Sequence, residues 1–220
     1  MALLITSRSA AEYRAMFALT TAEEAAESVL DCCAGGSGFA AETTARVVAV
    51  DPAYALGRND LADRVRAALH DGDQIIGANA EHFDWSWYGD PARRGELRTA
   101  AARHFLDDFC EYPGRYLAAA LPNLPFAAGS FDLVLCSHLL FTWADLLDAE
   151  WHGRALTELT RVARHEVRVY PLVVQGTGQP VAFLDDLRAG LRAAGYRSRI
   201  QRVPYRFQKN ADRMLVIEAR

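Results

Sequence analysis

The chain has 220 residues, about half hydrophobic and a quarter charged, which excludes a long disordered chain or a fibrous one and favours a single domain with room for an insertion. Its formal net charge of −4 gives no chain-wide electrostatic support for non-specific nucleic-acid binding. Lys209 is the only lysine, so the basic residues are almost all arginine, a bias read first as genomic base composition. Cys32 and Cys33 are adjacent while Cys110 and Cys136 are isolated, which matches neither a zinc knuckle nor a secreted disulfide framework and fits a reducing cytoplasm. The N-terminal MALLIT is too short for a signal h-region or a membrane span, so the expectation is a soluble cytoplasmic protein with no membrane partner.

Residues 9–27 read as a helix with Tyr13, Met16, Phe17 and Thr20 on one face. SVLDCC follows as a short buried strand, AGGSG as a turn, FAAETTA as a helix and VVAV as a second buried strand closed by Asp51 and Pro52. Residues 56–69 are helical in pattern. Roughly sixty residues then separate the second strand from a candidate third at 116–121, far more than a βαβ crossover needs. Part of that stretch, about 70–112, reads as an inserted helical lid containing HFDWSWY and a helix over 92–109. The most hydrophobic strand spans 131–136, followed by a helix over 146–163, the strand VRVYPLV, and the helix FLDDLRAGLRAAG with Gly195 as its C-cap. SRIQRVPYRF and RMLVIEA form a closing hairpin. Strands separated by helices and ended by a hairpin imply an α/β fold, a mostly parallel sheet with its last pair antiparallel.

In such a sheet ligands bind outside the carboxyl ends of the strands. Asp31, followed by the small residues Ala34, Gly35, Gly36 and Gly38, marks the first strand end, where the turn either admits a ligand to the backbone or is merely tight. Asp51, twenty residues on, is placed to accept hydrogen bonds from both hydroxyls of a ribose, or else caps the following helix with Pro52 at its first position.

LPF at 124–126, a short polar turn, and SFDLV running into a strand resemble the middle of class I S-adenosylmethionine-dependent methyltransferases, and the resemblance extends over most of 26–218. SHLLF, and RV followed by VRVYPL, are similar to a group of little-characterised small bacterial methyltransferases. That likeness implies a Rossmann-like seven-stranded sheet, mostly parallel with an antiparallel last strand, and S-adenosylmethionine as cofactor. It implies cofactor contacts from Asp31, Ala34, Gly35, Gly36 and Gly38, from Asp51 and Pro52, from the backbone near Leu121, and from Cys136 and Ser137. Where family members carry glycines at the second, fourth and sixth positions after the acid, this chain has Cys33, Gly35 and Ser37. Where an acid is common before LPF it has Ala118, Ala119 and Ala120. Cys136, Ser137 and His138 occupy the place of the Asn/Asp-Pro-Pro-aromatic motif of base N-methylating enzymes, which argues against a nucleic-acid acceptor.

The expected function is methyl transfer to a small-molecule acceptor. Its alternatives are a cofactor-binding module without turnover and an NAD-dependent oxidoreductase, which shares the glycine turn and the acid. His138, directly after the most hydrophobic strand, is the candidate for acid/base work. Tyr13, Phe17, Trp85, Trp87 and His152 are the candidates for the acceptor side, against ordinary packing for each of the aromatic rings. No metal-ligand constellation is evident.

Overall fold

A computed structural model describes residues 5–26 and 28–219. Residues 1–4 of the N-terminal apolar run, the Glu27 end of the first predicted helix, and Arg220 lie outside the described residues.

The first predicted helix is two. Ser9 and Glu12 form a reciprocal capping box that starts α1 (Ala10–Phe17), and Ala18, at φ +49°, ends it before α2 (Thr21–Ala26). Tyr13, Met16 and Phe17 are buried as their spacing requires, whereas Thr20 lies beyond the break and is exposed. The sheet then builds through β1 (Ser28–Cys32), the single-turn α3 (Phe39–Glu42), β2 (Arg46–Val50) and a 3₁₀ turn over Pro52–Ala55. The predicted 56–69 helix extends further, as α4 (Arg58–Ala78), and pairs with α5 (Pro91–Glu111) in the insertion. Arg94 on α5 reaches Asp73 on α4 at 2.9 Å.

The third strand is shorter than its apolar run suggests. β3 (Tyr116–Leu117) pairs only with Ala49 and Val50, where β2 ends. β4 (Phe131–Ser137), α6 (Ala149–Val162), β5 (Ala163–Tyr170), α7 (Leu184–Ala193), β6 (Arg197–Arg202) and β7 (Arg213–Glu218) complete the chain. The sheet order is β3-β2-β1-β4-β5-β7-β6, with β7 antiparallel to both neighbours and the remaining pairs parallel.

Alternation along the central strands sends their side chains to two cores. Val29, Leu133 and Leu135 face the layer containing α1, α3, α4 and α5; Leu30, Val134 and Cys136 face α6 and α7. Winding reverses between β1 and β4, which puts the ligand crevice at their carboxyl ends. Register makes that crevice specific: Cys32 is opposite both Val50 and Cys136, so Cys33, Asp51 and Ser137 leave the sheet side by side. Among the described residues no helix is long and apolar enough to cross a membrane.

Candidate functional site

A cavity of about 240 Å³ opens at this switch point. Cys33, Gly35, Asp51, Ser137, His138 and Tyr170, all from strand ends or the turns after them, line one side. Cys33 (φ +64°) and His138 (φ +56°) hold left-handed backbone that costs a non-glycine residue free energy, and such positions cluster where a site is being shaped.

The glycine turn is built around the N-terminal segment. Gly35 has φ +57°, and its amide donates to Asp51 Oδ2 at 3.0 Å. A Cβ on Gly36 would lie 2.8 Å from Ser7 Oγ, and one on Gly38 would lie 2.9 Å from the Ala101 carbonyl oxygen. These two glycines therefore admit the 5–8 segment and α5, and they do not line the cavity; Ala34 is buried beneath the turn with its amide on the Val50 carbonyl. Asp51 caps the 3₁₀ turn by accepting the Ala53 amide at 2.9 Å, while its side chain lines the cavity. Helix capping and ligand contact are thus compatible, since each carboxylate oxygen keeps a further lone pair. Burial raises its carboxyl above the usual range, against the pull of the Ala53 and Gly35 amides.

Asp31 lies deeper. It is fully buried, accepts the Tyr13 hydroxyl at 3.0 Å on Oδ1, and has no partner at Oδ2 among the described residues. Burial pushes its carboxyl up to about 8, with the Tyr13 hydrogen bond opposing. Pro52 is exposed, and Leu121 and Cys136 are packed into the α6 core; none of the three lines the cavity.

His138 and His152 have different surroundings. His138 lines the cavity, with Nδ1 2.7 Å from Ser137 Oγ and its amide on the Tyr170 carbonyl. Desolvation, then the nearby Arg8 and Arg98, hold its imidazole well below its ordinary value, so it is neutral at neutral pH. His152 is wholly buried outside the cavity. Its Nε2 accepts the Phe141 amide at 2.9 Å, and its Nδ1 donates to the Asp148 carbonyl at 2.8 Å. One neutral tautomer satisfies both bonds, so His152 holds the turn after His138, where Phe141 has φ +67°.

The opposite wall comes from distant segments. Ile75 and Ile76 of α4, Arg94 and Arg98 of α5, and Phe83 face the cavity together with Tyr205 and Phe207 between β6 and β7. Phe83 stacks on Phe207 at 4.6 Å, and the Asp84 amide donates to the Phe207 carbonyl at 2.8 Å, which ties the insertion to the end of the chain. The tryptophans expected at the acceptor support this wall from behind. Trp85 packs edge-on to Phe207 and donates from Nε1 to the Ala80 carbonyl, while Trp87 packs on Tyr88 and Tyr205. Tyr13 and Phe17 are core residues, Tyr13 stacked on Phe39 at 4.6 Å. Sequence reading missed Arg8, Arg98 and Tyr205; the S-x-x-E box that places Glu12 on an otherwise apolar face was the available signal for a buried charge needing partners.

Residues 94–170, which include α5, β4, α6 and β5, match the model of a family described as methyltransferase domain. That match spans about a third of the chain. Over 218 residues the chain is 23% identical to an uncharacterised protein of Methanocaldococcus jannaschii, a match spanning 97% of this chain and 95% of the other. Among solved structures it is similar to the 1,6-didemethyltoxoflavin-N1-methyltransferase of Burkholderia thailandensis (TM-score 0.49, 16% identity, 95% of this chain and 78% of that one). It is also similar to a SAM-dependent methyltransferase of Aquifex aeolicus (TM-score 0.43, 15% identity, 88% and 82%). The residues of this site fit S-adenosylmethionine. Asp51 has lone pairs to spare for ribose hydroxyls, and Cys33, Gly35 and Ser137 surround it on the same side of the cavity.

Proposed function

We propose that the protein methylates a small-molecule acceptor seated in this cavity, between the strand-end residues that hold the methyl donor and the wall carrying Phe83, Tyr205 and Phe207. The observation that carries this reading is the continuity of the two sides: Asp51, Gly35 and Ser137 share one cavity with those aromatic rings and with His138. A volume of about 240 Å³ suits a small molecule. S-adenosylmethionine supplies a methyl group already activated on a sulfonium. The chain's residues then have to bind, orient and exclude water, and orientation is worth on the order of 7 to 11 kcal/mol.

In this reading Asp51 holds the ribose, with Gly35 and Ser137 flanking it. His138 receives a proton from the acceptor at Nε2. Its Nδ1 is engaged by Ser137, the ring is neutral, and no protein group among the described residues bonds Nε2, so that atom is free to accept a proton, while burial and the Arg8 and Arg98 charges make it a weak base. Residues 70–112, with α1 beneath them, serve as the lid over the acceptor, supported by the lining from Ile75, Ile76, Phe83, Arg94 and Arg98. A cytoplasmic setting is consistent with the four cysteines, none of which is in a disulfide.

The test is methyl transfer from isotopically labelled S-adenosylmethionine to fractionated cell extract. Label should enter the low-molecular-mass fraction, and His138→Ala should slow its transfer by about 10² to 10⁴ while binding S-adenosylhomocysteine normally. Label confined to RNA or protein would overturn the small-molecule reading, and an unimpaired His138→Ala would remove the base.

A further inference from the structure

The cavity wall beside His138 carries a positive charge that the protein does not answer. Arg98 Nη2 lies 3.0 Å from Glu12 Oε1, but Arg8 Nη1 comes only within 3.8 Å of the same oxygen. Glu12 is otherwise committed. Its Oε2 accepts the Ser9 amide and hydroxyl, and its Oε1 accepts the Tyr88 hydroxyl at 2.5 Å. Arg98 also bonds the Ser7 carbonyl and Tyr88, and Arg94 pairs with Asp73, each leaving only Nε, of its buried nitrogens, without an acceptor among the described residues. Three guanidinium groups thus share two carboxylates.

The surplus sits on Arg8. Its side chain is 8% exposed, and its Nε and Nη1 are buried with no hydrogen-bond acceptor among the described residues. Asp51 faces the same cavity, but its oxygens rest on backbone amides and no arginine among the described residues pairs with it. The Arg8 backbone is pinned at the glycine turn, where its carbonyl accepts the Gly38 amide at 2.9 Å, so the guanidinium is held in the cavity wall. A buried guanidinium that shares its one counter-ion and has no hydrogen-bonded acceptor for Nε and Nη1 is unfavourable unless something bound beside it supplies the bonds and charge, and its planar form suits a carboxylate.

We infer that Arg8 is the receptor for one carboxylate of a ligand bound in this cavity. The inference rests on the proposed function for its two possible sources, the amino-acid end of the methyl donor and the acceptor itself. Loss of Arg8 leaves Glu12 with Arg98, Ser9 and Tyr88, so the fold does not depend on it.

Calorimetric titration of the wild type, Arg8→Gln and Arg8→Lys separates the sources. The probes are S-adenosylhomocysteine against 5′-methylthioadenosine, which lacks the amino-acid end, and benzoate against benzamide with 5′-methylthioadenosine present. Arg8→Gln should lose about tenfold or more for one carboxylate probe and bind both neutral probes as before, with Arg8→Lys recovering part of the loss. A selective loss for S-adenosylhomocysteine assigns the carboxylate to the donor, and one for benzoate assigns it to the acceptor. In the wild type alone, a carboxylate probe should bind about tenfold or more tightly than its neutral counterpart, a comparison independent of any variant's folding. Equal affinity for charged and neutral members of both pairs, or carboxylate binding unchanged in Arg8→Gln, overturns the inference. Failure of the wild type to bind either nucleoside would instead count against the proposed function, with the benzoate arm still deciding the role of Arg8.

Discussion

The Asp51 carboxylate joins the ends of two strands, taking the Gly35 amide at 3.0 Å on one oxygen and the Ala53 amide at 2.9 Å on the other. It is thus a cap, a clasp on the glycine turn and part of the cavity lining at once. Asp51→Ala should lower S-adenosylhomocysteine affinity by tenfold or more, and should cost about 1 to 2 kcal/mol of stability through the two amides left without acceptors. Titration calorimetry and urea denaturation measure the two effects separately. A stability loss with unchanged affinity would reduce Asp51 to its capping role.

His152 ties the turn after β4 to α6 through the Phe141 amide. Burial holds its imidazole below the ordinary histidine value, outweighing the Asp148 carbonyl, so the unfolded chain binds a proton before the native state does. Its contribution to stability is fully present above about pH 6.5 and is lost as the pH falls through the native value. His152→Ala should lose roughly 1 to 3 kcal/mol at neutral pH and show a smaller further loss on acidification than the wild type. Urea midpoints at about pH 7.5 and about pH 5.5 give both quantities. An equal acid response in variant and wild type would mean that His152 is not buried in its neutral form.

Trp85 and Trp87 stand behind Phe83, Phe207 and Tyr205 and do not form the cavity surface. Trp85→Ala should therefore cost about 3 kcal/mol of stability and leave S-adenosylhomocysteine affinity within a few-fold of wild type. Thermal denaturation with and without that ligand measures it. Retained stability with altered ligand binding would put Trp85 in the pocket after all.

What the sequence disclosed about the site follows from how local each signal is. Gly35, Asp51, Ser137 and His138 could be found because each closely follows an apolar run, and a parallel sheet aligns such ends; Cys33, in the same turn, stood out only as a departure from a glycine pattern. Arg8, Arg98, Phe83, Tyr205 and Phe207 could not, since Tyr88 meets Glu12 and Tyr205 across 76 and 117 residues of chain, and no periodicity encodes that meeting. HFDWSWY was recognisable as an aromatic cluster in an over-long connection. Which ring would face the cavity depended on the pairing of Phe83 with Gln208, which only the closing hairpin sets. Gly36 and Gly38 looked like a ligand cradle because close approach by a ligand and close approach by the 5–8 segment or α5 demand the same residue.

The central claim is that these strand ends bind the donor of a methyltransferase and not a nicotinamide dinucleotide, although an acid twenty residues after a glycine turn suits both. Thermal denaturation in the presence of S-adenosylhomocysteine and, separately, NAD tests it directly. S-adenosylhomocysteine should raise the melting temperature by the equivalent of about 2.7 kcal/mol at a hundredfold excess over its dissociation constant, and NAD should leave it unchanged. An equal shift with both ligands, or a shift with NAD alone, would contradict it.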